Sequence, residues 1–286
     1  MDKPCMRNNL TLGILLIVSI LSGCKGINLG GKSTETAGSS LRDVEVFTGT
    51  EGLTMNYVKD LPPPKLYSST NLNVLLELHN KGVTDINNLN LYLSGYDTNI
   101  IAIPNRVRNV FGLLGKSRFN IEGGYRTVEF ASNRINDKDF SERYPTTMTA
   151  TACYDYTTVG TPVVCVDPFL YDVEAGARPC QVAPVSLSGG QGAPISVENV
   201  QVDSTGSEAY FEIEIANVGG GKVVQTAKCP YNLDYNDLNY VKYDIKLSGQ
   251  PPIECLPSER GSNRVRLVND RAKITCTFAI DSNRQA

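Results

Sequence analysis

Apolar and polar positions alternate with a period of two over much of the chain. Leu72, Val74, Leu76 and Leu78 take every second place, then Asn80-Lys81-Gly82 interrupts them. Successive side chains of a strand point to opposite faces, so this spacing predicts a strand with one buried face and a turn after it. The figure returns as Phe211, Ile213 and Ile215, followed by Asn217-Val218-Gly219. Downstream, Leu91-Tyr92-Leu93-Ser94-Gly95 parallels Ile245-Lys246-Leu247-Ser248-Gly249. Thr151-Ala152-Cys153-Tyr154 then parallels Thr275-Cys276-Thr277-Phe278 with a slip of one residue. Matches in the same order predict a duplicated unit. No long helical period accompanies them, and Gly, Asn and Pro punctuate the short strands. The expected fold class is all-β, built as β-sandwiches.

The amino-terminal residues follow a different rule. A short charged stretch, with Lys3 and Arg7 against Asp2, precedes an apolar run from Leu10 to Leu21. That run is short for a bilayer span and suits a secretory signal. It ends in Leu21-Ser22-Gly23-Cys24, which resembles the lipobox of prokaryotic lipoproteins. The resemblance implies cleavage before Cys24 and lipidation of its thiol, with acyl chains giving stable anchorage. Residues 1–23 are thus expected to be a signal peptide. Residues 24–44, rich in Gly, Ser and Thr, read as a tether.

The expected layout continues with a first sandwich at 45–178, a linker at 179–194 and a second sandwich at 195–286. A strand, an Asn-x-Gly turn, a second strand ending in Ser-Gly and a later strand entering a Tyr-rich hairpin resemble a CARDB-type domain. The resemblance covers roughly residues 50–175 and 195–281. It implies tandem immunoglobulin-like modules of bacterial or archaeal surface proteins, used for adhesion or as spacers. No catalytic residues come with it. The first copy shows a further strand-like run, Thr161 to Val166, whereas the second passes from Ile280 into a polar end. Here the second sandwich lacks its last strand: either the chain is cut short, or a sheet edge stays open for pairing.

Cysteine usage agrees with export. Setting aside Cys5 and Cys24, six remain: Cys153, Cys165, Cys180, Cys229, Cys255 and Cys276. An even number in an exported chain reads as disulfides, although six cysteines allow fifteen pairings. Cys153 and Cys165 flank an expected hairpin and are paired first. Cys255 with Cys276, on successive strand-like segments, comes second, which leaves Cys180 with Cys229.

Composition narrows the chemistry. The formal net charge is −3, with a single histidine and no tryptophan. This excludes a strongly basic nucleic-acid binder and a zinc site built on several histidines. Gly26-x4-Gly31-Lys32-Ser33 has the letters of a P-loop, but lacks the strand before it and the helix after it. Leu187-Ser188-Gly189-Gly190-Gln191 resembles the signature peptide of ABC-transporter ATPases. Pro184 and Pro194 bracket it and deny a helix, so it reads as a linker turn. Asp137, Asp139 and Glu142 are weak calcium candidates, as are Asp234, Asn236 and Asp237, and solvated acidic loops are the plainer reading. His79 should lie on a polar strand face. Tyr231, Tyr235, Tyr240 and Tyr243 form a candidate recognition patch.

The expectation is an extracytoplasmic, lipid-anchored, non-enzymatic surface protein without cofactor, nucleotide or nucleic acid. Its partners would be the membrane, through the lipid on Cys24, and a protein or cell-surface ligand. The alternative is a lipoprotein subunit of an export or pilus-type assembly, completed by a strand from a neighbour.

Overall fold

The computed structural model describes residues 46–68, 70–136, 143–173, 178, 180–258 and 262–280. The expected signal peptide, Cys24, the P-loop letters and the calcium candidates Asp137, Asp139 and Glu142 lie outside these residues. Thirteen strands and two short 3-10 turns are the named elements among the described residues, so the protein is all-β.

In chain order the first six strands are β1 (Leu53–Tyr57), β2 (Asn71–Asn80), β3 (Leu89–Ser94), β4 (Val107–Val110), β5 (Tyr125–Arg134) and β6 (Thr149–Tyr154). They form two antiparallel sheets, ordered β1-β2-β5 and β4-β3-β6. Leu72, Val74, Leu76 and Leu78 of β2 share one core with Leu89, Leu91 and Leu93 of β3 and Phe130 of β5. Each such buried side chain contributes about 1.5–3 kcal/mol. The alternation seen in the sequence is therefore the pleat of β2 against the facing sheet.

The later strands are β7 (Val185–Ser186), β8 (Ile195–Thr205), β9 (Glu208–Asn217), β10 (Tyr240–Lys242), β11 (Glu254–Leu256), β12 (Arg264–Arg266) and β13 (Arg271–Ala279). One sheet runs β11-β13-β9-β8-β7 and the other pairs β10 with β12. Phe211, Ile213 and Ile215 of β9 meet Ile274 and Phe278 of β13 and Val265 of β12 in a second core. The order β8-β9-β13 repeats β1-β2-β5, and β10-β12 repeats β3-β4.

That correspondence corrects one match. Thr151–Tyr154 lies on β6, beside β3, whereas Thr275 and Cys276 lie on β13, beside β9, in the place that β5 holds beside β2. Cys153 and Cys276 are both buried cysteines in strands, which is why their surroundings read alike. The run Thr161 to Val166 forms no strand, and Val164 and Val166 pack in the second core instead. The chain has already crossed over by then, because the Thr158 hydroxyl donates to Ile195 O at 2.8 Å.

All six cysteines pair, as Cys153–Cys229, Cys165–Cys180 and Cys255–Cys276. The last is the expected pair, while the other two differ from expectation. Cys165 travels with the crossing segment and meets Cys180 locally, leaving Cys153 on β6 to reach Cys229. Disulfides on this scale suit an oxidising, extracytoplasmic setting. No helix among the described residues is long and apolar enough to cross a membrane.

Where a linker was expected, the backbone is tightly bonded. Gly49 N–H donates to Gly189 O at 2.7 Å, and Gly192 N–H donates back to Gly49 O at 2.8 Å. Gly192 O accepts from Val83 N–H at 2.9 Å and from the Tyr156 hydroxyl at 3.0 Å. Glycine is required here: Gly192 sits at φ +66°, and a Cβ on Gly82 would overlap Tyr156 Oη. Gln191, the last letter of the ABC-like peptide, donates to Val197 O at 3.1 Å and accepts from Val197 N–H at 2.8 Å. Those bonds satisfy the backbone at a register shift between Val197 and Asn199 in the β8–β9 ladder.

Candidate functional site

The strongest cluster of recognition-type side chains lies on the β10–β12 sheet. Antiparallel pairing sets Tyr240 opposite Arg266, Val241 opposite Val265 and Lys242 opposite Arg264. The valines turn inward to the second core, so the alternation turns Tyr240, Lys242, Arg264 and Arg266 outward. The Arg266 guanidinium stacks 3.5 Å from the Tyr235 ring and 5.2 Å from the Tyr240 ring. Arg264 lies 4.9 Å from the Tyr240 ring. Tyr–Arg stacks of this kind are attractive through the ring quadrupole, and Arg266 Nη2 also donates to Tyr235 O at 3.0 Å. None of Lys242, Arg264 and Arg266 forms an ion pair among the described residues. Arg264 Nε is buried with no hydrogen-bond partner there.

Beside this face runs an unpaired edge. Leu267 N–H donates to Asn239 O at 2.7 Å and Tyr243 N–H donates to Asn263 O at 3.0 Å, so the odd-numbered residues bond to β12. The backbone groups of Tyr240 and Lys242 then point the other way. In the first sandwich that side of β3 is filled by β6, whereas no strand among the described residues lies beside β10 there.

The expected tyrosine patch is thus split. Tyr235 and Tyr240 belong to the arginine-stacked face. Tyr231, next but one to Cys229, packs edge-on against Tyr92 of β3 at 5.7 Å. Tyr243 is structural: its hydroxyl donates to Pro257 O at 2.9 Å, and burial pushes its pKa up. Tyr154 and Tyr156 are likewise raised by burial, and their hydroxyls accept from Leu53 N–H and Thr84 N–H. The arginine partners had no signal in the sequence, because they come from a strand more than twenty residues away.

Of the acidic cluster, Asp234 is exposed, as a solvated loop requires, whereas Asp237 is buried, and the two are tied into one turn. The Asp234 side chain accepts from Asn236 N–H, and Asp237 reaches back to Asp234 N–H, a reciprocal cap on a 3-10 turn. Asp237 is buried and accepts from Lys228 Nζ at 2.7 Å. That hydrogen bond holds the Asp237 carboxyl below its ordinary pKa and raises the lysine. Asp237 Oδ2 accepts from both the Lys228 ammonium and Asp234 N–H, and no group of three metal-ligating side chains occurs among the described residues.

His79 lies on the outer face of β2, as the alternation predicts, in an open depression with Glu51, Glu77, Lys81 and Tyr125. Its Nε2 faces Glu122 O, and a carbonyl only accepts, so that nitrogen carries the proton. Glu51 is paired with Lys81 at 3.3 Å. The imidazole is thereby spent on a backbone contact. No family model matches the chain, and no curated protein does.

Proposed function

We propose that this chain is an exported, lipid-anchored, non-catalytic surface protein whose immunoglobulin-like sandwiches present a recognition face for adhesion, protein binding or envelope structure. The observation that carries the binding reading is the Tyr235–Arg266–Tyr240–Arg264 stack beside the unpaired side of β10. Tyrosine and arginine supply most hot spots in protein interfaces, since both bring large contact area with polar handles. Three cations with no ion pair among the described residues favour an acidic partner surface. Anchorage is supported by Leu21-Ser22-Gly23-Cys24, and export by the three disulfides. The CARDB-type kinship is supported by patterning and by the repeated strand order.

A photo-crosslinking residue placed at Lys242 in the native host tests the binding reading. It should give a discrete adduct on intact cells that is lost when Arg266→Ala is added. The absence of any adduct, or one indifferent to Arg266→Ala, would sink it. The side of β10 left open where β3 carries β6 favours a second reading, a subunit of an export or pilus-type assembly that takes a neighbour's strand. In that case the amides of Tyr240 and Lys242 should become slow to exchange when the adduct partner is bound. Unchanged exchange would limit the contact to side chains.

A further inference from the structure

The loop between β4 and β5 is apolar where it should be polar. Phe111, Leu114, Phe119 and Ile121 are each more than half exposed, and Phe119 is 100% exposed. Soluble surfaces carry isolated apolar residues, but four large ones in eleven positions of one loop make a patch that marks a contact. The loop is well built. Gly124 N–H donates to Leu114 O at 2.7 Å, and the Ser117 and Asn120 backbones exchange bonds of 2.9 and 3.0 Å. Arg118 and Phe119 are the two residues at the tip of that tight turn, which the Ser117 hydroxyl braces by accepting from Asn120 N–H at 3.1 Å. A firm, convex apolar tip of this kind fits a deformable apolar medium.

Charge and chain path choose the medium. Between Phe111 and Arg126 the cations Lys116, Arg118 and Arg126 stand against one carboxylate, Glu122. Cations flanking an apolar tip match the anionic headgroups that lie above acyl chains. The described chain also begins beside this loop, because Lys116 Nζ donates to Thr48 O at 3.2 Å. Phe47, just before it, is 53% exposed. The first described residues therefore lie against the stem of this loop.

We infer that the β4–β5 loop is a membrane-contacting tip, inserting Phe119 between the lipids of an anionic bilayer while Arg118 and Lys116 meet the headgroups. This rests on the membrane-anchored reading for its orientation. Its test uses unacylated protein, so the two can fail separately. Both cores lie within residues 46–280, so the chain from residue 24 carrying Cys24→Ser, exported on an unrelated cleavable leader, should fold. The chain has no tryptophan, which makes Phe119→Trp a single reporter. Its emission should shift to the blue on adding vesicles containing phosphatidylglycerol, and high salt should reverse the shift. In flotation with the same vesicles, Phe119→Ser should bind roughly tenfold more weakly than the parent, given the apolar area withdrawn from the bilayer. Its melting temperature should be unchanged, because the side chain is fully exposed. An unshifted emission from the Phe119→Trp variant, or equal flotation of Phe119→Ser, would overturn the inference, as would a shift produced only by a protein partner. Loss of acylation at Cys24 in the native host would overturn the anchor reading alone.

Discussion

Removing the disulfide that ties β6 to the segment between β9 and β10 should cost more than removing either of the others. Cys153 and Cys229 are separated by 76 positions, while Cys165–Cys180 closes 15 and Cys255–Cys276 closes 21. Nesting matters, because the Cys165–Cys180 bridge already shortens the larger loop to an effective length of about sixty residues. Chain-entropy arithmetic then gives about 4.3 kcal/mol for the crossing bridge and about 3 kcal/mol for each of the others. For a chain of this size 1 kcal/mol moves the midpoint by about 2–4 °C, so Cys153→Ala with Cys229→Ala should lower Tm by about 9–17 °C. The structure adds a qualitative term. With the bridge gone, the junction rests on hydrogen bonds, from Val83 and the Tyr156 hydroxyl to Gly192 O, between Gly49 and the Gly189–Gly192 turn and from Thr158 to Ile195 O, and on the Tyr92–Tyr231 contact. The calorimetric transition should therefore broaden or split, which a local loop-closure effect would not cause. Differential scanning calorimetry of the three double-alanine variants, each with its remaining bridges verified, is the assay. Equal losses for all three pairs, or a midpoint within about 1 °C of wild type for the Cys153/Cys229 variant, would refute the reasoning.

Three further outcomes can be checked on purified protein. Gly82→Ala forces a methyl into the space of Tyr156 Oη and Gly192 O, so urea unfolding should show a loss of about 1–3 kcal/mol. Gln191→Ala strands the Val197 N–H and C=O and should cost about 2 kcal/mol in the same assay, with no change in any nucleotide-binding signal. Asp237 has a lowered folded-state pKa, so its contribution is present above the ordinary carboxylate range, about pH 4, and is lost as pH falls through the lowered value. Wild type should thus lose melting temperature more steeply than Asp237→Asn as pH drops from about 5 to 2; parallel profiles would contradict the role of Lys228.

Much of the framework could be read from the chain, because a buried strand face writes itself in every second residue. Leu72 to Leu78 and Phe211 to Ile215 became the inward faces of β2 and β9. What alternation cannot carry is the identity of the neighbour. Cys153 and Cys276 sit in similar local patterns, yet one strand pairs with β3 and the other with β9. The same gap accounts for the cysteine pairing. Cys165 looked like the far side of a hairpin from Cys153, but Val164 and Val166 are drawn into the other core, and the bridge goes with them. Leu187 to Gln191 looked like a turn and is one, though its glycines serve backbone contacts with Gly49 that only the folded chain reveals. At the candidate site the tyrosines were visible and their arginines were not, since Arg264 and Arg266 reach Tyr240 across a strand pair. Phe119 carried no signal at all, because an apolar residue declares exposure only once the turn around it is placed.

We propose an exported chain whose two β-sandwiches are locked together by the Cys153–Cys229 disulfide. A non-reducing peptide map of protein taken from membranes of its native host tests it most directly. The predicted linked peptides are Cys153 with Cys229, Cys165 with Cys180 and Cys255 with Cys276, together with an acylated amino-terminal peptide that begins at Cys24. Free thiols at these positions, a Cys153–Cys165 peptide, or an amino-terminal peptide that still begins at Met1 would contradict it.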